Sequence, residues 1–422
     1  MSKIIDIKAR EILASGGLPT VEVKVCLRSG AVGVASVPYG ASTGSREAVV
    51  LVDGEKDRYG GKGMQKAIKN VETLIKDALA GMEAENQRGI DEKMIALDGT
   101  DNKSYLGGNA ILAVSLAVAR AVATDKKMPL YKYIRKCFEI DFSDFQLPKP
   151  MAVLIEGGKH ADKSTDFQEY LLTVTRKDIK TDESIRMMAE VYSQLSKLLK
   201  ENGFVTNVGN EGAFAPGGMS DNKKPMDFII EAIKMANYEV GVDCGISLDA
   251  AASEFWNGVT KRYELKVENK NLTSGQMVDY VTDMAENYPI VTVEDMLSED
   301  DWQAWVMLTD RLTKLNIANI ADDLTVTNTN TWQRAINERA ASGILIKLNQ
   351  AGTLTETVDC TMLASKSGLP AVPSHRGGGE TNDTFMVDLA VALNCPWIKV
   401  GPSRGERVCK YNRLMEIEKE LI

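Results

Sequence analysis

Histidine is scarce in this chain, with two residues in 422, and aromatic residues make up only 6%. The six cysteines (Cys26, Cys137, Cys244, Cys360, Cys395 and Cys409) show no C-x-x-C spacing. That excludes a zinc-finger frame and points to reduced thiols in a cytoplasmic protein rather than a disulfide scaffold. A net charge of −9 argues against a broad nucleic-acid footprint. It leaves room for an anionic small molecule, because a bound metal and a few lysines invert the field locally. The most apolar helix candidate, NAILAVSLAVARAVA, is interrupted by Arg120 and falls short of the roughly 20 residues of a membrane span. The opening MSKIIDIKAREIL carries charges where a secretory leader needs an apolar core. The expectation is a cytoplasmic chain with no membrane and no nucleic-acid partner.

What is present divides into two patterns. In TVEVKVCL, Val21, Val23, Val25 and Leu27 alternate with Glu22 and Lys24, which predicts a half-buried strand. RSGA turns it into VGVASVP, a hairpin, and an Ala-rich helix follows at 109–123. Residues 1–140 read as a small α+β domain, with the Pro148 and Pro150 segment marking the crossing into a second domain, 141–422. There a helix over 184–201 stops at Asn202-Gly203. Beyond it, short β-prone runs each end in a polar residue: GISLD at Asp249, PIVTVED at Glu294, NIADD at Asp322, ILIK at Lys347, AVPSH at His375 and WIKV at Lys399. Repeated strand–helix units predict a (β/α) barrel with its chemistry at the C-terminal strand ends. A doubly wound sheet is disfavoured, since no G-x-G-x-x-G or P-loop stands in the right context.

The strand-end set carries the chemistry. Asp249, Glu294 and Asp322 would converge on one mouth, and three carboxylates together repel unless a hard divalent cation such as Mg²⁺ joins them. Taken singly, each is a solvated loop residue. Lys347 rises from a buried run; next to a cation it can lose its proton and act as a base, or it is a structural lysine with a buried stem. Glu211 lies between glycines in GNEGAFAP. His160 lies in the Gly-flanked EGGKHADKSTDFQEYL, which leads to Glu169. The stretch VPSHRGGGETNDT holds His375, Arg376 and three consecutive glycines. It is either a polar surface turn or a cradle for an anion, in which glycine lets backbone N–H groups approach and arginine offers its planar fork.

Many stretches in order, among them GASTGSREAV, LDGTDNKSYLGGNAILAVSLAVARA, GNEGAFAP, LDAAASEF, VEDMLSEDDW, ADDLTVTN, ILIKLNQAGTLTET, SHRGGGETNDTF and ERVCKYNRLMEIE, show that the chain resembles the enolases along nearly its whole length. The resemblance implies an α/β protein: an enolase-type eight-stranded (β/α) barrel, partly antiparallel at its start, behind an N-terminal α+β capping domain. It implies reversible dehydration of 2-phosphoglycerate to phosphoenolpyruvate, a glycolytic and gluconeogenic lyase reaction needing Mg²⁺. Asp249, Glu294 and Asp322 match the metal ligands. Lys347 matches the base, and Glu211 the acid that helps hydroxide leave, supported by Glu169. His160 and His375 match the two active-site histidines. Lys399 matches the lysine on the substrate carboxylate and Arg376 the arginine on the phosphate. Ser374, Gln168, Ser42 and Gly377 complete the implied substrate contacts. A lysine or histidine base with one or two Mg²⁺ is the known solution of this superfamily, which these residues repeat.

Departures fall around this machinery. Ala14, Gly16 and Leu18 replace the Asp, Arg and Asn of D-S-R-G-N-P-T. Tyr39 stands where a serine helps bind a second metal. Gly377 replaces the second serine of S-H-R-S-G-E-T, and one glycine is added. Asn210 replaces an aspartate, Ala213 a glycine, and Glu156 an asparagine, while the run after Lys399 is shortened. Two enzyme readings follow: an enolase, or a paralogue performing the same enolisation on another phospho- or phosphono-carboxylic acid. A non-catalytic scaffold is a third; the chain shows no basic stripe and ends EKELI, lacking a C-terminal lysine. A homo-oligomer is expected, with an altered interface, because Glu416 replaces an arginine that faces Glu22.

Overall fold

The apolar–polar alternation near the start of the chain becomes a three-stranded antiparallel meander, β1 (Ile4–Leu13), β2 (Pro19–Leu27) and β3 (Val32–Ser36). The computed structural model describes residues 2–40, 46–162 and 164–421. Val21, Val23, Val25 and Leu27 are wholly buried, as the pattern predicts. They pack against the helix Gly108–Asp125, whose Ala113, Ala117 and Ala121 are small enough for close approach and are fully buried. This helix is long and apolar enough to cross a membrane by composition, yet 83% of it is buried inside the protein. Its apolar surface is therefore used as core.

The barrel begins with β4 (Lys149–Glu156), β5 (Glu169–Val174) and β6 (Cys244–Asp249). A small excursion, β7 (Trp256–Asn257), β8 (Arg262–Leu265) and β9 (Lys270–Leu272), forms its own sheet. The barrel then continues with β10 (Ile290–Glu294), β11 (Ala318–Ala321), β12 (Gly343–Ile346), β13 (Ala371–Pro373) and β14 (Trp397–Val400). The strand order is β13-β12-β11-β10-β6-β5-β4-β14, and a parallel bridge between Ser374 and Lys399 joins the two edges. β5 runs antiparallel to both β4 and β6, while the other pairings are parallel. The period of two along each strand separates two cores. Met151, Val153, Leu171, Ile320, Leu345 and Val372 form one cluster inside the barrel. Leu154, Leu172, Ile344 and Ile346 face the helical shell and join the large cluster.

The helix predicted over 184–201 starts earlier, spanning Thr181–Glu201. Its first N–H groups have no local cap; the Glu418 carboxylate accepts those of Thr181 (2.6 Å) and Asp182 (3.0 Å), satisfying donors that a helix start leaves open. Two N-terminal helices are tied to the barrel by polar links. Arg120 makes a two-pronged bond to Asp383, both at 2.7 Å, and Arg88 does the same to Asp359 at 2.8 and 2.7 Å. The six cysteines are free thiols.

Candidate active site

The C-terminal ends of the parallel strands meet at one cavity of about 260 Å³. Asp249 ends β6 and Glu294 ends β10; Asp322 and Lys347 follow β11 and β12 directly, and Lys399 lies within β14. Because β5 runs the other way, Glu169 reaches the same mouth from the beginning of its strand. Lys347, Glu211, Glu169, His160, His375, Lys399, Arg376, Ser374, Gln168, Gly377, Asp249 and Asp322 all line the cavity. Glu294 is buried just behind it, bonded to Lys399. Ser42 lies outside the described residues.

Electrostatics organise the floor. The Lys399 ammonium sits 2.7 Å from Glu294 Oε2, 2.8 Å from Asp249 Oδ2 and 2.9 Å from Glu169 Oε2. Burial works against its charge, but the three carboxylates outweigh burial and hold its pKa well above the usual lysine value. Lys347 bonds to Asp322 Oδ2, and Gln350 Nε2 donates to Asp322 Oδ1 at 2.8 Å. Burial presses Lys347 towards neutrality; the Asp322 carboxylate prevails, so its pKa is raised rather than lowered. The sequence expectation that a desolvated lysine here gives up its proton thus needs positive charge on Asp322, which the protein side chains alone do not supply.

The other wall is the acid end. His160 Nδ1 lies 3.8 Å from Glu169 Oε1 and 3.7 Å from Glu211 Oε1, and His375 Nε2 lies 3.5 Å from Glu211 Oε2. Gly401 N–H donates to His375 Nδ1 at 3.3 Å, which assigns the ring proton to Nε2, facing Glu211. Burial pushes the His375 pKa down to about 4, so its ring is neutral at neutral pH. Burial and the neighbouring Glu211 raise Glu169 well above the carboxylate range. Glu211 is also raised by burial, but its histidine neighbours outweigh this and lower it. The two neighbouring carboxyls are thus shifted in opposite directions, Glu169 up and Glu211 down.

The glycine stretch after β13 is a close-packed cradle. A Cβ on Gly377 would lie 2.4 Å from Glu211 Oε1 and 3.0 Å from His160 Cε1, and one on Gly379 would lie 1.9 Å from the Tyr39 carbonyl oxygen. Side chains there would push the stretch away from the acid end and from the N-terminal segment. Tyr39 N–H donates to the Gly379 carbonyl at 2.7 Å, so Tyr39 meets the barrel through its backbone. Arg376 is buried and bonds to Glu47 Oε1 at 2.9 Å. The reading as a polar surface turn is thereby set aside, since His375 and Arg376 are 2% and 3% exposed.

Several residues at the mouth escaped the sequence reading. Asp295 and Asp323 line the cavity beside Asp322, and the three offer carboxylate oxygens within 4.8 Å of one another, a group that could hold a metal ion. Asp295 accepts the N–H groups of Asp322 (3.1 Å) and Asp323 (2.8 Å). Assigning one polar residue to each strand end passes over both, although each directly follows an assigned carboxylate. Lys159 and Glu254 form an ion pair at the rim.

The donor set suits a hard divalent cation. Oxygen donors dominate, and Glu294 Oε1 is buried with no hydrogen-bond partner among the described residues. Burial and then Asp249 raise the Glu294 pKa well above the carboxylate range, which is the state of a carboxyl that lacks enough positive charge around it.

A partly antiparallel barrel whose strand ends bring carboxylates, two buried lysines and a histidine–glutamate group to one cavity has the make-up of a barrel lyase. Comparison with known families agrees: residues 144–422 match the family model described as enolase, C-terminal TIM barrel domain, and residues 4–134 match enolase, N-terminal domain. The chain belongs to the enolase family.

Proposed function

We propose that this protein is an Mg²⁺-dependent phosphopyruvate hydratase, dehydrating 2-phosphoglycerate to phosphoenolpyruvate. The observation that carries the reading is the presence, in one cavity, of Lys347 bonded to Asp322 and of Glu211 and Glu169 grouped around His160. Asp249, Glu294 and Asp322 would hold Mg²⁺, whose charge, when bound, makes the proton next to the substrate carboxylate acidic enough to remove. Lys347, deprotonated once the charge of Asp322 is engaged by the cation, would take that proton. Lys399 binds the substrate carboxylate, and Arg376 binds the phosphate through its planar fork. The Glu169–Glu211 pair returns a proton to the hydroxide on the neighbouring carbon, so that it departs as water. The proton removed and the hydroxide expelled balance. Appearance of the enol phosphate, followed by ultraviolet absorbance with 2-phosphoglycerate and Mg²⁺, tests the proposal; silence from folded, Mg²⁺-binding protein overturns it.

A second reading keeps the enolisation and changes the acid. Gly377 carries no side chain for the phosphate, and the 2.4 Å approach to Glu211 leaves no room for one. This favours a related phosphorylated or phosphonylated carboxylic acid whose anionic end needs one contact fewer. Stabilisation by Mg²⁺ without turnover of 2-phosphoglycerate is the outcome that would select it.

A further inference from the structure

We infer that Glu156 is a positioning residue for Glu211, a buried clamp beneath the turn that presents the Glu211 carboxyl to His160 and His375; the inference rests on reading Glu211 as part of the acid end. Glu156 is the last residue of β4 and is wholly buried. Its Oε1 accepts the backbone N–H of Glu211 at 3.0 Å and that of Ala213 at 3.2 Å. One oxygen thus holds the chain on both sides of Gly212. The Glu156 N–H donates to the Phe214 carbonyl at 2.8 Å, fixing the strand end to the same turn. Glu211 then projects its carboxyl to within 3.5 Å of His375 Nε2 and 3.7 Å of His160 Nδ1. The turn accommodates the clamp because residue 209 is glycine: a Cβ there would lie 2.1 Å from Glu156 Oε2.

Two of the departures from the family pattern belong together on this view. An asparagine in the strand and an aspartate in the turn have become Glu156 and Asn210. Glu156 is buried and Asn210 exposed, so of these two positions the acid is the one beneath the turn.

The surroundings decide what that acid does. Glu211 faces it from the turn, and Glu169 stands opposite it in register on β5. Tyr192, from the helix Thr181–Glu201, donates its hydroxyl to the Gly212 carbonyl at 2.7 Å. Arg404 and Arg407 bond to the carbonyls of Gly209 and Asn210, each at 3.3 Å. Among the described residues no cation bonds to the Glu156 carboxyl. Burial, and then the charge of Glu211, push its pKa up to about 8. Burial and Glu211 together thus favour the neutral form of the clamp over the charged one.

Hydrogen–deuterium exchange of the segment 207–215, on the full chain without substrate, tests the geometry. Glu156→Gln keeps an accepting oxygen and Glu156→Ala removes it. The alanine variant should exchange about tenfold faster there, and the glutamine variant within about twofold of the unmodified protein. Unchanged exchange in Glu156→Ala overturns the inference. Thermal midpoints against pH report whether the carboxyl is held protonated beneath the turn. The carboxyl's folded pKa, about 8, lies above its ordinary value of 4.5, so the native state binds the extra proton and loses relative stability as pH rises through that interval. The unmodified protein should therefore fall relative to Glu156→Gln across it, and parallel curves count against the inference. This comparison needs only the glutamine variant, so it stands if the alanine variant does not fold. On 2-phosphoglycerate, Glu156→Ala should lower kcat about tenfold with KM within about threefold. No turnover by the unmodified protein, with the exchange result intact, would refute the dehydration reading and leave the clamp standing.

Discussion

Glu47 and Arg376 form a buried ion pair, Oε1 to Nη2 at 2.9 Å, that ties the N-terminal segment to the glycine cradle of the barrel. Their side chains are 3% and 4% exposed. The arginine proposed to meet the substrate phosphate is therefore held from the other side by a carboxylate of the capping domain, and the seating of that domain and the shape of the anion site are linked.

Breaking this pair should be expensive, because it leaves a guanidinium buried beside a neutral partner. Glu47→Gln should lower unfolding stability by about 3 kcal/mol, measured by urea denaturation. A loss below about 1 kcal/mol, the size of an exposed pair, would show that the link is dispensable.

Lys399 places its single positive charge against three carboxyl groups. Lys399→Met should lower the thermal midpoint in chelator and enlarge the rise that Mg²⁺ produces, since the cation would then relieve repulsion that the lysine no longer does. Equal Mg²⁺-induced shifts in the two proteins would contradict this.

His375 has a pKa lowered by burial to about 4, from an ordinary value of 6.5. Between those values the unfolded chain binds the proton and the native site does not, so stability falls as pH drops through that window. His375→Gln should escape this contribution. Midpoints of the two proteins that stay parallel over the same range would show that the ring is not held neutral.

Lys347→Ala should abolish turnover, by about three orders of magnitude or more, while leaving Mg²⁺-dependent stabilisation in place. Residual activity within about tenfold of the unmodified enzyme would remove Lys347 from the role of base.

The capping strand and the last helix bear on assembly. Glu22 bonds to Arg10 at 2.6 Å and Glu416 to Arg413 at 2.9 Å, so both carboxylates implicated in a family interface have cations within their own chain. A dimer weaker than the usual kind is expected. Light scattering that shows an undissociated dimer even at about nanomolar concentration would contradict it.

The strand ends are legible in the sequence because each β-prone run stops at a polar residue, and a strand's C-terminal end fixes where that residue points. Asp249, Lys347 and His375 reach the cavity for that reason. Asp295 is not legible: it sits at φ +43, in a conformation rare for a non-glycine residue, and its carboxylate turns back to accept neighbouring N–H groups. Nor could any local pattern join Glu47 to Arg376 or Glu418 to the start of the helix at Thr181, since both links are made only when distant segments fold together. The protonation of Lys347 is likewise a property of its pairing with Asp322, which spacing alone does not reveal.

The reversed direction of β5 has a consequence for how such a site can change. The segment 157–168 leaves β4 and enters β5 at the same mouth, so His160, Gln168 and Glu169 arrive there within one short piece of chain. In an all-parallel barrel, contacts of that number would be spread over loops separated by whole helices. Here a few neighbouring replacements, or one exchanged segment, can alter three cavity-lining residues together while touching only the first residue of β5. Selectivity at this mouth is in that sense modular, and the segment is the natural unit in which to transplant it between relatives.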